Sequence, residues 1–120
     1  QDSKMSRRIQ RLNVQFREEL SELIQHELRD PRLHGMVSIT RVDTSPDLEN
    51  ADIYTSVLGE TEDKVSTMSA LTAATPFLRR QLLERLHIRR IPNLHFLLDE
   101  SIAEAARILE LMRKIEKGGA

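Results

Sequence analysis

Met5, Ile9, Leu12, Phe16, Leu20, Leu23 and Ile24 recur at helical spacing and fall in one narrow arc at about 100° per residue. Arg7, Arg11, Glu18, Glu22 and Arg29 take the opposite side. A helix with so long a stripe needs a surface to cover, and the sequence supplies one where its period drops to two. In MVSITRVD, residues 36–43, Val37 and Ile39 alternate with Ser38 and Thr40. In ADIYTSVLGE, residues 51–60, Ile53, Thr55 and Val57 alternate with Asp52, Tyr54 and Ser56. The turn-rich SPDLEN, residues 45–50, joins the two, so an antiparallel hairpin is expected. Asp30-Pro31 is expected to end the first helix, because a residue before proline is pushed out of the α region. Gly35 would permit the turn that follows.

Gly59 closes the second strand, and a helix is expected from near Thr61, with that side chain capping it ahead of Glu62 and Asp63. Its buried stripe is read as Val65, Met68, Leu71 and Ala74. The stretch AATPFLRRQLLERLHIRR, residues 73–90, then raises a difficulty at Pro76. Proline inside a helix lacks a donor and clashes with the preceding turn, at about 3 kcal/mol. At the first position of a new helix it is nearly free, and Thr75 is a good cap ahead of it. Two helices meeting at an angle are therefore expected. The second carries Leu78, Leu82, Leu83 and Leu86 on its apolar arc, with Arg80 and Glu84 opposite and Arg85 on the flank. Arg79 falls close to the arc, so its stem should pack. Free amides of Phe77, Leu78 and Arg79 would make a positive end able to accept a phosphate; the alternative is a kink that merely follows the sheet. IPNLHFLLD, residues 91–99, reads as a third strand with Leu94, Phe96 and Leu98 on one face.

A last helix opens at Ser101, with Glu104 in capping-box position. Ile102, Ala105, Leu109 and Met112 lie on one side, and Ile108, Leu111 and Ile115 on the adjoining side. Wide burial against the sheet is expected, a partner helix or dimer contact being the alternative. Residues 117–120 should fray. The order is α-β-β-α-α-β-α in one small α+β domain, and 120 residues suffice for a single core.

What the chain lacks narrows its chemistry. Without cysteine there is no disulfide, thiolate site or Cys nucleophile. No apolar run approaches the roughly 20 residues of a membrane span, and no signal peptide or lipidation motif is present. A cytoplasmic protein without a membrane partner is expected. His26 and His34 are eight apart, as are His87 and His95, so no metal site is expected. No glycine-rich nucleotide fingerprint appears. Glu18-Glu19 and Glu62-Asp63 are sequence neighbours that point apart on helices. Neither a cofactor nor catalysis is anticipated. The net charge of −1 hides a segregation: residues 43–63 hold seven acids and no Lys or Arg, whereas 76–90 hold five Arg, one Glu and His87. The few aromatic residues, Phe16, Tyr54, Phe77 and Phe96, argue against a sheet that stacks bases on exposed rings. RNA contact would run through Arg, Lys and helix termini to backbone and shape, with a clear salt dependence.

Several strings, in this order and spacing, carry a resemblance over about residues 4–116: SRRIQRLN (6–13), ELRDPRL (27–33), VSITRVDTSPDL (37–48), ADIYTSVLGE (51–60), AATPFLRRQL (73–82) and IRRIPNLHFLLDES (88–101). The chain resembles the bacterial ribosome-binding factor A family of small-subunit assembly factors. The resemblance implies a KH-like (type II) fold in which a small-x-Gly kink replaces the usual G-x-x-G loop. Ala74 and Thr75 match that pattern, but Pro76 stands where the kink glycine is usual. It further implies a non-enzymatic factor that binds the small ribosomal subunit and its rRNA, supports processing of the rRNA 5′ end, and serves growth in the cold. The implied rRNA contacts are Ala74, Thr75, Pro76, Arg79, Arg80, Arg85, Arg89 and Arg90. By charge alone, Lys4, Arg7, Arg8 and Arg11 are candidate secondary phosphate contacts, and the acidic stretch 43–63 should avoid RNA. An assembly GTPase or another assembly factor is the expected releasing partner, and a monomer the expected state. The rivals are a generic KH-type single-stranded RNA-binding module and a protein-interaction scaffold built on the last helix.

Overall fold

The structure, a computed structural model, describes residues 2–33 and 37–118, with side chains described for 7–33 and 37–116. Its elements are α1 (Asp2–His26), β1 (Val37–Thr44), β2 (Asn50–Val57), α2 (Thr61–Leu86), β3 (Asn93–Leu98) and α3 (Ser101–Gly118). The sheet order is β1-β2-β3, with β1 antiparallel and β3 parallel to β2. Helices α1 and α2 share one face of the sheet. Phe16, Leu20 and Leu23 of α1 and Leu71, Leu78 and Leu82 of α2 are fully buried there against Ile39, Val42, Ile53 and Leu94. The other face is mostly polar, with Ser38, Asp43, Asp52, Tyr54 and His95 and with Leu97 beside Tyr54, and Arg41 lies 4.2 Å over the Tyr54 ring.

The α+β class and the hairpin agree with the sequence reading; the broken helix pair does not. Helix α2 runs unbroken through Pro76. Thr67, Ala70 and Leu71 before the proline and Leu78 and Leu82 after it are buried in one continuous stripe. Burying a leucine is worth roughly 1.5–3 kcal/mol, so two of them outweigh the ~3 kcal/mol cost of an interior proline. Local chemistry lowers that cost further. Pro76 faces solvent, and so does Thr72, whose carbonyl loses its amide partner and can be hydrated instead. The hydroxyls of Thr72 and Thr75 bond back to the carbonyls of Met68 (2.9 Å) and Leu71 (3.2 Å). No second helix N-terminus therefore exists at Phe77–Arg79 to receive a phosphate. Val65 and Leu83, expected in the stripes, are 61% and 46% exposed.

Helix ends also differ. α1 stops at His26, four residues before Asp30, where the amides of Glu27 and Leu28 both bond to the Leu23 carbonyl at 2.8 and 3.1 Å. The turn assigned to Gly35 lies outside the described residues. α2 is capped at Glu60, whose amide donates to Asp63 Oδ2 at 3.0 Å, not by Thr61. At α3 the Ser101 amide donates to Asp99 Oδ1 (2.9 Å), while Glu104 turns to Arg107 (2.7 Å) and caps nothing. That helix continues through Lys117 to Gly118, into the segment expected to fray.

Strand β1 carries a bulge. Its register shifts between Ile39 and Arg41, so Ile39 and then Val42 and Thr44 face the core. The extra residue, Thr40, uses its hydroxyl on the Tyr54 carbonyl (3.2 Å) and on Asp99 Oδ2. Buried Thr44 is satisfied by Asn13 of α1, whose Oδ1 accepts from its amide at 3.0 Å and its hydroxyl at 2.6 Å.

Helix α3 buries none of its described side chains: every one from Ser101 to Glu116 is exposed. Wide burial against the sheet is thus not found. The apolar face of the sheet is filled by α1 and α2, and the other face, where Leu97 and Tyr54 stand among charged and polar side chains, is not covered by α3. The radius of gyration, 17.3 Å, reflects the projecting helix; a compact chain of this length has about 14 Å.

Candidate nucleic-acid interface

The arginines separate by what holds them. Arg79, half-buried on α2, donates from Nη2 to the Ile91 carbonyl (2.7 Å) and from Nε to that of Pro92 (3.1 Å). It pins the loop that leads into β3. Arg85 pairs with Glu19 of α1 at 3.1 Å, tying the two helices together. Both guanidinium groups are committed to the fold. Among the described residues, Arg7, Arg8, Arg11, Arg80, Arg89 and Arg90 are exposed and have no ion pair or hydrogen bond.

Four of these meet. Arg8 and Arg11 project from the first turns of α1, and Arg89 and Arg90 from the loop after α2. Together they border a cavity of about 560 Å³ whose apolar lining is Leu12, Leu48, Ile88 and Pro92. The α1 spacing explains the first pair: Arg8 and Arg11 are one turn apart and flank Leu12. The second pair follows from how α2 ends. His87 adopts φ 52°, a left-handed cap that turns the chain sharply toward Ile91 and Pro92, both buried. Four cations around one concavity make a strong local positive potential.

The remaining candidates lie elsewhere. Ala74 borders a shallow groove with Arg29 and Pro31 of the loop after α1. Thr75 is half-buried, Pro76 is exposed, and Arg80 stands alone on the outer side of α2. Arg7 is exposed but outside the cavity, and the side chain of Lys4 lies outside the described residues.

Seven cavity residues were missed by the sequence reading as site residues: the apolar Leu12, Leu48, Ile88 and Pro92, and the polar Gln15, Asp47 and His87. The run HIRR (87–90) offered a signal for His87. Asp47 was hidden inside the acidic stretch, yet the β1–β2 turn carries it to the basic cavity. Ser45 Oγ donates to its Oδ1 at 2.6 Å and the Glu49 amide at 3.0 Å. These two bonds hold the Asp47 carboxyl below the usual carboxylate range. The same turn puts Leu48 at φ 63°, so the two non-glycine residues with positive φ among the described residues both line this cavity.

Four of the unpaired cations of this small α+β domain converge on one concavity, and charge of that sign favours an anionic ligand. The family model described as ribosome-binding factor A matches residues 8–112, and the chain belongs to that family. It is 45% identical over 107 residues to ribosome-binding factor A of Thermomicrobium roseum, covering 89% of this chain and 82% of the relative. To that of Thermodesulfovibrio yellowstonii it is 43% identical over 111 residues, 92% of each chain. The crystal structure of ribosome-binding factor A from Thermus thermophilus superposes with a TM-score of 0.68 at 31% identity, over 78% of this chain and 97% of the other. A homology model of the Thermus thermophilus protein, fitted into a cryo-electron-microscopy map of its complex with the 30S subunit, matches with a TM-score of 0.61 at 32% identity, over 73% and 91%. No described helix is long and apolar enough to cross a membrane.

Proposed function

We propose that this chain is a non-enzymatic small-subunit assembly factor that docks on rRNA of the small ribosomal subunit through its basic cavity. The observation that carries the reading is the meeting of Arg8, Arg11, Arg89 and Arg90 on one concavity, without a carboxylate partner for any of them among the described residues. Phosphates satisfy such a cluster, and arginine suits them because its planar fork donates two bonds at once. Arg80, Arg7 and Lys4 add peripheral phosphate contacts. Arg79 and Arg85 act indirectly, by holding the loop and helices that present the site. Ala74, Thr75 and Pro76 lie away from this cavity and serve as a second, weaker contact region. The relative fitted in a complex with the 30S subunit supports the choice of partner.

On this reading residues 4–116 form one KH-like domain that works in the cytoplasm as a monomer. It holds rRNA during late maturation, supports processing of the 5′ end and growth in the cold, and is released with help from an assembly GTPase or another factor. A second reading, a protein-interaction scaffold, draws on the exposed apolar side chains of α3.

Co-sedimentation with purified subunits across a salt series tests the choice. Wild type should pellet with small but not large subunits, less so as salt rises. Arg89→Glu/Arg90→Glu should abolish binding while leaving the thermal midpoint unchanged. Binding that ignores both salt and these substitutions would point to α3 and protein contact instead.

A further inference from the structure

We infer that the cavity receives a single unstacked guanine nucleotide of an RNA strand; the rRNA source of that strand rests on the reading above, the pocket chemistry does not. A surface that only meets phosphates needs cations and nothing concave. This one encloses about 560 Å³, inside the roughly 300–1,000 Å³ range of ligand sites. It has three chemically distinct parts. Leu12, Leu48, Ile88 and Pro92 give an apolar wall that fits the face of a base and has no use for a phosphate. The arginine rim suits the flanking phosphates, and guanidinium planes and the His87 imidazole are surfaces on which a splayed base stacks.

The third part is polar and selective. Asp47 and Gln15 line the cavity. A carboxylate repels phosphate; the bonds from Ser45 and Glu49 account for one oxygen of Asp47 as a turn-former and leave the other to the cavity it borders. A carboxylate also accepts hydrogen bonds and never donates them while ionised. Oδ1 already accepts from Ser45 and Glu49, and Oδ2 accepts nothing among the described residues. Of the four RNA bases, guanine alone offers adjacent donors, N1–H and the N2 amino group, on its Watson–Crick edge. Unpaired bases are read on that edge. Apolar wall, cationic rim and a spare acceptor therefore describe one nucleotide, with phosphates positioning and the base specifying.

The test is fluorescence anisotropy with labelled hexauridylates carrying G, A or inosine at one internal position. The G strand should bind about tenfold tighter than the A strand or the inosine strand, which lacks the N2 amino group. Asp47→Asn keeps an oxygen for Ser45 and Glu49; it should erase that preference, bringing the G, A and inosine strands to one affinity. Leu48→Gly, compatible with the positive φ, should bring the G strand down to the hexauridylate level. Equal affinity for all strands would overturn the pocket and leave a phosphate-only surface. Competition by free guanosine monophosphate as strong as by the G strand would also overturn it, in favour of a mononucleotide ligand. Subunit co-sedimentation in parallel separates the two proposals: guanine preference without subunit binding sinks only the small-subunit reading, and the converse sinks only the pocket.

Discussion

Helix α2 carries a proline at its centre and is embedded in the core; helix α3 has an unbroken apolar pattern and touches almost nothing. Leu78 and Leu82 in α2 are fully buried, whereas Leu109 and Met112 in α3 are 59% and 56% exposed. Pattern makes a helix able to bury a stripe, but a facing surface decides whether it does. A three-stranded sheet offers one apolar face here, and α1 and α2 occupy it.

Substitutions can break or sharpen this contrast. The largest effect should come from Leu78→Ala, with a loss of about 3 kcal/mol in urea unfolding. Leu109→Ala should fall within about 0.5 kcal/mol of wild type. Equal losses at the two positions would mean that α3 packs in solution. Next in size is Arg79→Ala, which strands the carbonyls of buried Ile91 and Pro92. It should cost about 2 kcal/mol, and Arg79→Lys should rescue it only in part, because an ammonium does not reproduce the fork. Smaller and of opposite sign, Pro76→Ala restores the amide for the Thr72 carbonyl and should stabilise by about 1 kcal/mol. A loss on Pro76→Ala would show that the proline helps to shape α2.

The least change should come from the tie between α3 and the sheet. The Thr40 hydroxyl, and after it the Ser101 amide, hold the Asp99 carboxyl down to about 2, from 3.8. A carboxyl depressed in the folded state stabilises above its unfolded pKa, and that contribution fades as pH falls from about 4 toward 2. Asp99→Asn should therefore lower the urea midpoint slightly at pH 5–7, with the gap closing below pH 4. A gap independent of pH would assign the effect to packing.

Much of this was legible because it is local. The α1 stripe and the β2 alternation needed only neighbours a few residues away. The bulge at Thr40 left a trace, since Val37 and Ile39 are out of phase with Val42 and Thr44, but a reading confined to the start of the strand did not see it. At Pro76 a correct local rule lost to leucines buried on both sides. The site was harder still. Arg79, Arg80, Arg85, Arg89 and Arg90 form one basic run in sequence, yet what sorts them is non-local: Arg79 bonds a carbonyl 12 residues on, and Arg85 meets a glutamate 66 residues back. The convergence of Arg8 and Arg11 with Arg89 and Arg90, and the arrival of Asp47 beside them, come from the fold alone.

The left-handed backbone at Leu48 and His87 has a kinetic consequence. Both walls are set in strained conformations before any ligand arrives, held by the Ser45–Asp47–Glu49 bonds on one side and the end of α2 on the other. The entropy of ordering them is lost once, at folding, and not again at each encounter. On the proposed reading of this cavity, association should be one rapid step limited by electrostatic approach, with no slower isomerisation behind it.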